Sequence, residues 1–234
     1  MNLLMLSSSR EGQSAYLQSA REMILPHLQG VEQILFVPFA GVTLDWDSYT
    51  DKVQRALPEF EILGLHRTER PADAIRQGSS IMVGGGNTFN LLNELYRQQL
   101  LEPVRQAVHS GIPYVGWSAG ANICGDSIRT TNDMPIVQPP SFAALKLVPF
   151  QINPHYTDYQ VPGHNGETRA DRLAEFMVLN PAMPVLAIRE GSALKREDDK
   201  LHLLGTHPAL IFAAGHQTSI QPGTDLSDYL EESR

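Results

Sequence analysis

A chain of 234 residues, 42% hydrophobic and 19% charged, has an ordinary globular composition and can bury one sizeable core, so a single domain over residues 1–234 is expected. A net charge of −8, with basic residues scattered rather than clustered, argues against nucleic acid or an anionic membrane as partner. The lone cysteine, Cys124, excludes a disulfide within the chain and any Cys/His zinc spacing, and a small, buried, apolar role is expected for it.

The apolar start, Met1 to Leu6, lacks a basic flank and is too short for a signal segment, so it is expected to be a first core strand of a cytoplasmic protein. Tyr16 to Leu28 has helical spacing. Ile34 to Val37 is a predicted strand, and Trp46 to Leu57 a predicted helix with Asp45 as its N-cap. Ile62 to Leu65 (strand), Pro71 to Gln77 (helix with proline in its first turn) and Ile81 to Val83 (strand) follow. Asn87 to Val108 is helical in period, with a break expected before Pro103. Ile112-Pro113-Tyr114-Val115 is an apolar run expected to be a buried strand. Strands that alternate with helices imply parallel βαβ units: an α/β fold with a mostly parallel sheet and helices on both faces.

The second half is less regular. Asp126 to Phe142 is polar and proline-rich and is expected to be a long surface loop. Leu145 to Ile152 is a predicted strand, Glu167 to Leu179 a helix and Val185 to Ile188 a strand. Leu201 to Leu204 and Ala209 to Phe212 are expected to form a terminal hairpin turning at Gly205-Thr206-His207-Pro208.

The chemistry is concentrated in Gly116-Trp117-Ser118-Ala119-Gly120. A strand leads into it and a helix can begin after it, which is the context of a nucleophile elbow. Small residues two before and two after Ser118 let the arms of the turn meet, and the Ala119 N–H lies where it can face a developing oxyanion. A serine hydroxyl needs a base, usually a histidine oriented by a carboxylate. His155, in Gln151-Ile152-Asn153-Pro154-His155, stands at a strand end where Asn-Pro turns the chain; a late histidine (His202, His207 or His216) is the competing choice. Asp126, Asp133, Asp158 and Glu190 all follow predicted strands and compete for the third role. Gly84-Gly85-Gly86-Asn87 also follows a strand, but lacks the spacing of a phosphate-binding or dinucleotide-binding loop. No H-E-x-x-H or other metal-ligand cluster occurs, so neither metal nor cofactor is expected.

Several longer strings carry a family resemblance: Val37-Pro38-Phe39-Ala40-Gly41-Val42-Thr43, Val83-Gly84-Gly85-Gly86-Asn87-Thr88-Phe89, Gly116 to Asn122, Ile128 to Val137, Gln151 to His155, and Gly166-Glu167-Thr168-Arg169. With these strings the chain resembles the peptidase E family of bacterial aspartyl dipeptidases over nearly its whole length. The resemblance implies a fold similar to class I glutamine amidotransferases and hydrolysis of dipeptides with N-terminal aspartate through a Ser-His-Glu triad. Carried over, it makes Ser118 the nucleophile, His155 the general base and acid, and Glu190 the carboxylate that orients His155. Gly86 N–H would join Ala119 N–H as the oxyanion hole. Arg169 would face the substrate's side-chain carboxylate, where a guanidinium fork can bond both oxygens; its competing reading is a helix-surface arginine paired with Glu175 or Asp171. Asp133 would hold the substrate's α-ammonium or brace its loop, and Asn87 is a further substrate-binding candidate. A monomer or homodimer acting on small peptides is expected. An esterase using a late histidine and a non-catalytic binding protein of the same fold remain as alternatives.

Overall fold

In the computed structural model, which describes residues 1–163 and 165–231, five parallel strands form the spine of the molecule. They are β1 (Asn2–Leu6), β2 (Gln33–Val37), β3 (Glu61–Gly64), β4 (Ile81–Val83) and β5 (Tyr114–Trp117), in spatial order β3-β2-β4-β5-β1. Two antiparallel strands, β8 (Ser192–Glu197) and β9 (Lys200–Gly205), extend the sheet beyond β1.

Alternate residues of each strand point to opposite faces, and here both faces are apolar. Leu3, Met5, Leu35, Val37, Ile81 and Val83 pack on one side against α3 (Pro71–Gln77), α4 (Thr88–Arg97) and α5 (Leu101–His109). Leu4, Leu6, Ile34, Phe36, Met82, Val115 and Trp117 pack on the other against α1 (Arg21–His27) and α2 (Trp46–Ala56). The expected layering is therefore present. Asp45 caps α2 by accepting from the Ser48 amide at 2.8 Å, as its position predicts.

A second sheet, ordered β11-β10-β7-β6, lies beyond the elbow helix α6 (Ala119–Asn122). Its strands are β6 (Gln151–Asn153), β7 (Val185–Ala187), β10 (Ala209–Ala213) and β11 (His216–Ile220). β6 and β7 are parallel, and α7 (Arg169–Leu179) packs Leu173 and Met177 against Val185, Ala187 and Phe212.

Three expectations need correction. The first helix is confined to α1, because the chain before it forms turns and Leu17 takes a φ of 58°. The break expected in the long helix before Pro103 is present at Gln98–Leu100, and Pro103 sits in the first turn of α5, where its missing N–H costs no hydrogen bond. Leu145 to Phe150 is not a strand: the amides of Leu145 to Val148 bond to the carbonyls of Ile123, Cys124 and Gly125 just past the elbow helix, leaving β6 only three residues. β9 and β10 do not form a hairpin with each other. β9 pairs with β8, β10 pairs with β7 and β11, and Gly205 to Pro208 crosses between the sheets.

Candidate active site

The carboxyl ends of β1, β4, β5, β6 and β7 converge, and each delivers one part of the site. β5 ends at Trp117, and the chain reverses at Ser118 with φ 53° and ψ −114°. A non-glycine residue in that region costs on the order of 1–3 kcal/mol, and its surroundings must enforce it. They do so by close backbone approach: a Cβ on Gly116 would stand 2.3 Å from the Gly120 carbonyl oxygen, and one on Gly120 would stand 2.3 Å from the Val83 oxygen. The elbow is thus tied both to itself and to β4. Ser118 N–H donates to the Leu6 carbonyl at 3.1 Å, which ties it to β1.

His155 follows β6 and Glu190 follows β7. His155 Nε2 is 2.9 Å from Ser118 Oγ, and His155 Nδ1 is 2.8 Å from Glu190 Oε1. In the neutral ring Nδ1–H donates to the carboxylate, which leaves Nε2 free to accept the serine proton. His155 itself has a φ of 55°. The Glu190 side chain is 49% exposed, so solvent screens its charge; its main effect is to fix the tautomer and orientation of the ring. The three side chains therefore meet in one chain of contacts. The competing histidines are elsewhere: His207 Nε2 pairs with Glu11 at 2.7 Å, and His202 and His216 lie within β9 and β11.

A group that sequence reasoning passed over holds His155 in place. Ser7, fully buried just past β1, donates its hydroxyl to the Ile188 carbonyl at 2.8 Å and accepts the His155 N–H at 2.8 Å. One hydroxyl thus binds β1 to the segments that carry His155 and Glu190. Asn122 Nδ2 and Thr130 Oγ1 both donate to the Ile152 carbonyl, at 2.7 and 2.9 Å, and Asn132 Nδ2 donates to the Pro154 carbonyl at 2.8 Å. The available signal was positional: Ser7 follows a parallel strand at the end where ligands collect.

The Gly84–Gly86 turn after β4 lies against the elbow. Gly86 has a φ of 141°, and a Cβ there would stand 2.3 Å from the Ala40 oxygen; one on Gly85 would stand 2.9 Å from Ser118 Cβ. The Tyr49 hydroxyl donates to the Gly85 carbonyl at 2.8 Å and fixes the turn from outside. Among the described residues, neither the Gly86 nor the Ala119 amide donates to another protein group.

Two pockets flank Ser118. The smaller, about 210 Å³, is polar and is lined by Ser118, Ala119, His155, Thr88, Asp133 and Arg169 among others. Arg169 opens α7 directly after its N-cap, Thr168, which forms a capping box with Asp171. A cation at the first helical position opposes the helix dipole, so Arg169 is not there to stabilise the helix. Burial, with Arg172 adding to it, pushes its pKa down, while Asp133 and Glu190 hold it up. Asp171 is engaged by Thr168, and among the described residues Arg169 forms no ion pair with Asp171 or Glu175. Asp133 Oδ2 accepts from the Thr88 amide at 2.7 Å and the Thr88 hydroxyl at 2.6 Å, so it braces the start of α4 while lining the pocket. Asn87 caps α4 through Oδ1 to the Asn90 amide at 3.0 Å and donates Nδ2 to the Met134 carbonyl at 2.9 Å. It lines the larger pocket, of about 700 Å³, instead.

Cys124 is buried. Its Sγ lies 3.4 Å from the Gly120 carbonyl oxygen, and burial pushes its pKa up to about 12, so the thiol is inert, as expected. No group of three potential metal ligands occurs among the described residues.

The family model for peptidase family S51 matches residues 3–204. A protein named peptidase E from Shewanella denitrificans is 54% identical over 233 residues, covering 98% of this chain and 99% of its own. Another of that name from a Shewanella species is 52% identical over 234 residues, covering 99% of each chain. The crystal structure of a peptidase from an acI-B1 actinobacterium superposes with a TM-score of 0.68 over 96% of both chains at 16% identity, a likeness that bears on the fold.

Proposed function

Since the chain belongs to peptidase family S51, we propose that it hydrolyses dipeptides with N-terminal aspartate through an aspartyl ester on Ser118. The fold is class I glutamine amidotransferase-like, and the chain is a serine-type peptidase. The observation that carries the catalytic reading is the continuous Ser118–His155–Glu190 relay, with contacts of 2.9 and 2.8 Å.

In this reading the aspartyl side chain enters the small pocket and its carboxylate meets Arg169. His155 Nε2 takes the hydroxyl proton of Ser118 as Oγ attacks the peptide carbonyl. The carbonyl oxygen, now anionic, is held by the unengaged amides of Gly86 and Ala119. His155 returns the proton to the leaving amine and the C–N bond breaks. A water then attacks the ester, again deprotonated by His155; Oγ leaves with that proton and free aspartate is released. Glu190 holds the imidazole and its transient charge throughout. Asp133 serves chiefly to brace the pocket, with its second oxygen available to the substrate's ammonium. Asn87 acts through the start of α4, which it caps.

We assign the enzyme to the cytoplasm, working as a monomer or homodimer without metal or cofactor. A release assay over X-Leu dipeptides with X as Asp, Glu, Asn or β-linked Asp, with and without a chelator, tests the reading. Asp-Leu is expected to be cleaved far faster than the others and equally in both conditions. Preference for Asn-Leu, or loss on chelation with recovery on adding zinc, would overturn it.

A further inference from the structure

The larger pocket beside Ser118 contains a cation that acyl transfer does not use. Its walls include Tyr16, Val42, Leu44, Tyr49 and Ile136, and Lys52 stands among them. Lys52 projects from α2, half-buried, with Nζ 4.1 Å from the centroid of the Tyr16 ring. The acidic residues of the same helix are engaged elsewhere: Asp47 by His66 and Arg67, Asp51 by Arg67. Among the described residues no carboxylate pairs with Lys52. Burial lowers its pKa and the charges of Arg10 and Arg55 add to that, so the local field is positive. An ammonium taken partly out of water without a counter-ion is an unfavourable arrangement that a bound anion would relieve.

We propose that Lys52 binds the free α-carboxylate of the residue that follows the scissile bond, while the apolar walls take its side chain. The inference rests on the Asp-X reading and deepens it. A dipeptide whose carbonyl sits at Ser118 carries two anionic groups, its aspartyl carboxylate and its C-terminal carboxylate. The site offers one cation in each flanking pocket, Arg169 and Lys52. Such a pair of clamps measures length as well as charge. One extra residue moves the terminal carboxylate by about 3.3–3.6 Å, out of register with a fixed ammonium. The preferred substrate is therefore Asp followed by an apolar residue with a free C-terminus.

The test compares kcat/KM for Asp-Leu, Asp-Leu-amide and aspartyl p-nitroanilide in wild type, Lys52→Met and Lys52→Arg. A charge-assisted contact of this kind should favour the acid over the amide by about 10- to 100-fold in the wild type. That ratio should collapse toward one in Lys52→Met and be largely kept in Lys52→Arg, with hydrolysis of the anilide showing that each variant is folded. A wild-type ratio near one, or a ratio that Lys52→Met leaves unchanged, overturns the role of Lys52 and leaves the Asp-X reading standing. Failure of the wild type to release aspartate from any of the three overturns the Asp-X reading and this inference with it.

Discussion

On the proposed Asp-X specificity, replacing Arg169 by Met should leave an enzyme that barely distinguishes aspartate from asparagine. Arg169 lines the small pocket with Ser118 and His155, and solvent is largely displaced from that space when a side chain fills it. A charge-assisted, two-pronged guanidinium–carboxylate pair in such a place contributes about 2–4 kcal/mol, or roughly 30- to 1000-fold in kcat/KM. The upper part of that range is expected, because Asp133 and Glu190 act on Arg169 and would repel the substrate carboxylate once the guanidinium is gone. Asn-Leu carries no such charge and should lose little. Arg169→Lys should fall between the two, since an ammonium keeps the charge but not the planar fork. The change should not destabilise α7, whose start is held by the Thr168–Asp171 capping box, and it removes a cation from the wrong end of the helix dipole. The assay is kcat/KM for Asp-Leu and Asn-Leu with the thermal midpoint measured alongside. An unchanged Asp/Asn ratio in a folded variant would refute the reasoning and move the recognition of aspartate to the loops carrying Asn87 and Thr131–Asn132.

Gly86→Ala places a Cβ 2.3 Å from the Ala40 oxygen at a φ that only glycine adopts freely, so the turn must move. Displacing one oxyanion donor should lower kcat by roughly 100- to 1000-fold, and wild-type kcat in this variant would remove Gly86 from the oxyanion hole. His27 is 5% exposed, with Nε2 bonded to the Tyr114 carbonyl at 3.1 Å, and burial lowers its pKa from 6.5 to about 4. The unfolded chain therefore binds a proton that the native state refuses between those values. This contribution is fully present above about pH 6.5 and is lost as pH falls toward 4, amounting to about 3 kcal/mol. Denaturant unfolding at pH 7 and pH 4.5 should show a smaller drop for His27→Gln than for wild type; equal drops would mean that His27 is protonated in the fold.

The parallel half of the molecule was legible because its strands are short apolar runs separated by helical segments, some of which carry a local start signal. Pro71 at the start of α3 and Asp45 before α2 each announced an element by a local rule. β8 and β11 were not legible for the opposite reason. Ser192–Glu197 mixes three buried residues with Lys195, Arg196 and Glu197, and His216–Ile220 is polar and mostly exposed, so neither shows an apolar period. Missing them forced β9 and β10 together into a hairpin. At the site, the elbow declared Ser118 through small residues at fixed spacing, but the choice of His155 and Glu190 over their competitors came from the family resemblance. Their meeting depends on β6 and β7 lying in a second sheet, and on long-range bonds such as that of Ser7 to both segments, which have no sequence signature.

The central claim is that Ser118 carries the acyl group. Its most direct test is the turnover of Asp-Leu by Ser118→Ala, purified from a host lacking its own aspartyl dipeptidase. Alanine takes the same strained turn as serine, so circular dichroism and the thermal midpoint should stay close to wild type. The account predicts that kcat falls by roughly 10⁴-fold or more, to the limit of detection. A folded Ser118→Ala enzyme that keeps turnover within about tenfold of wild type would contradict it.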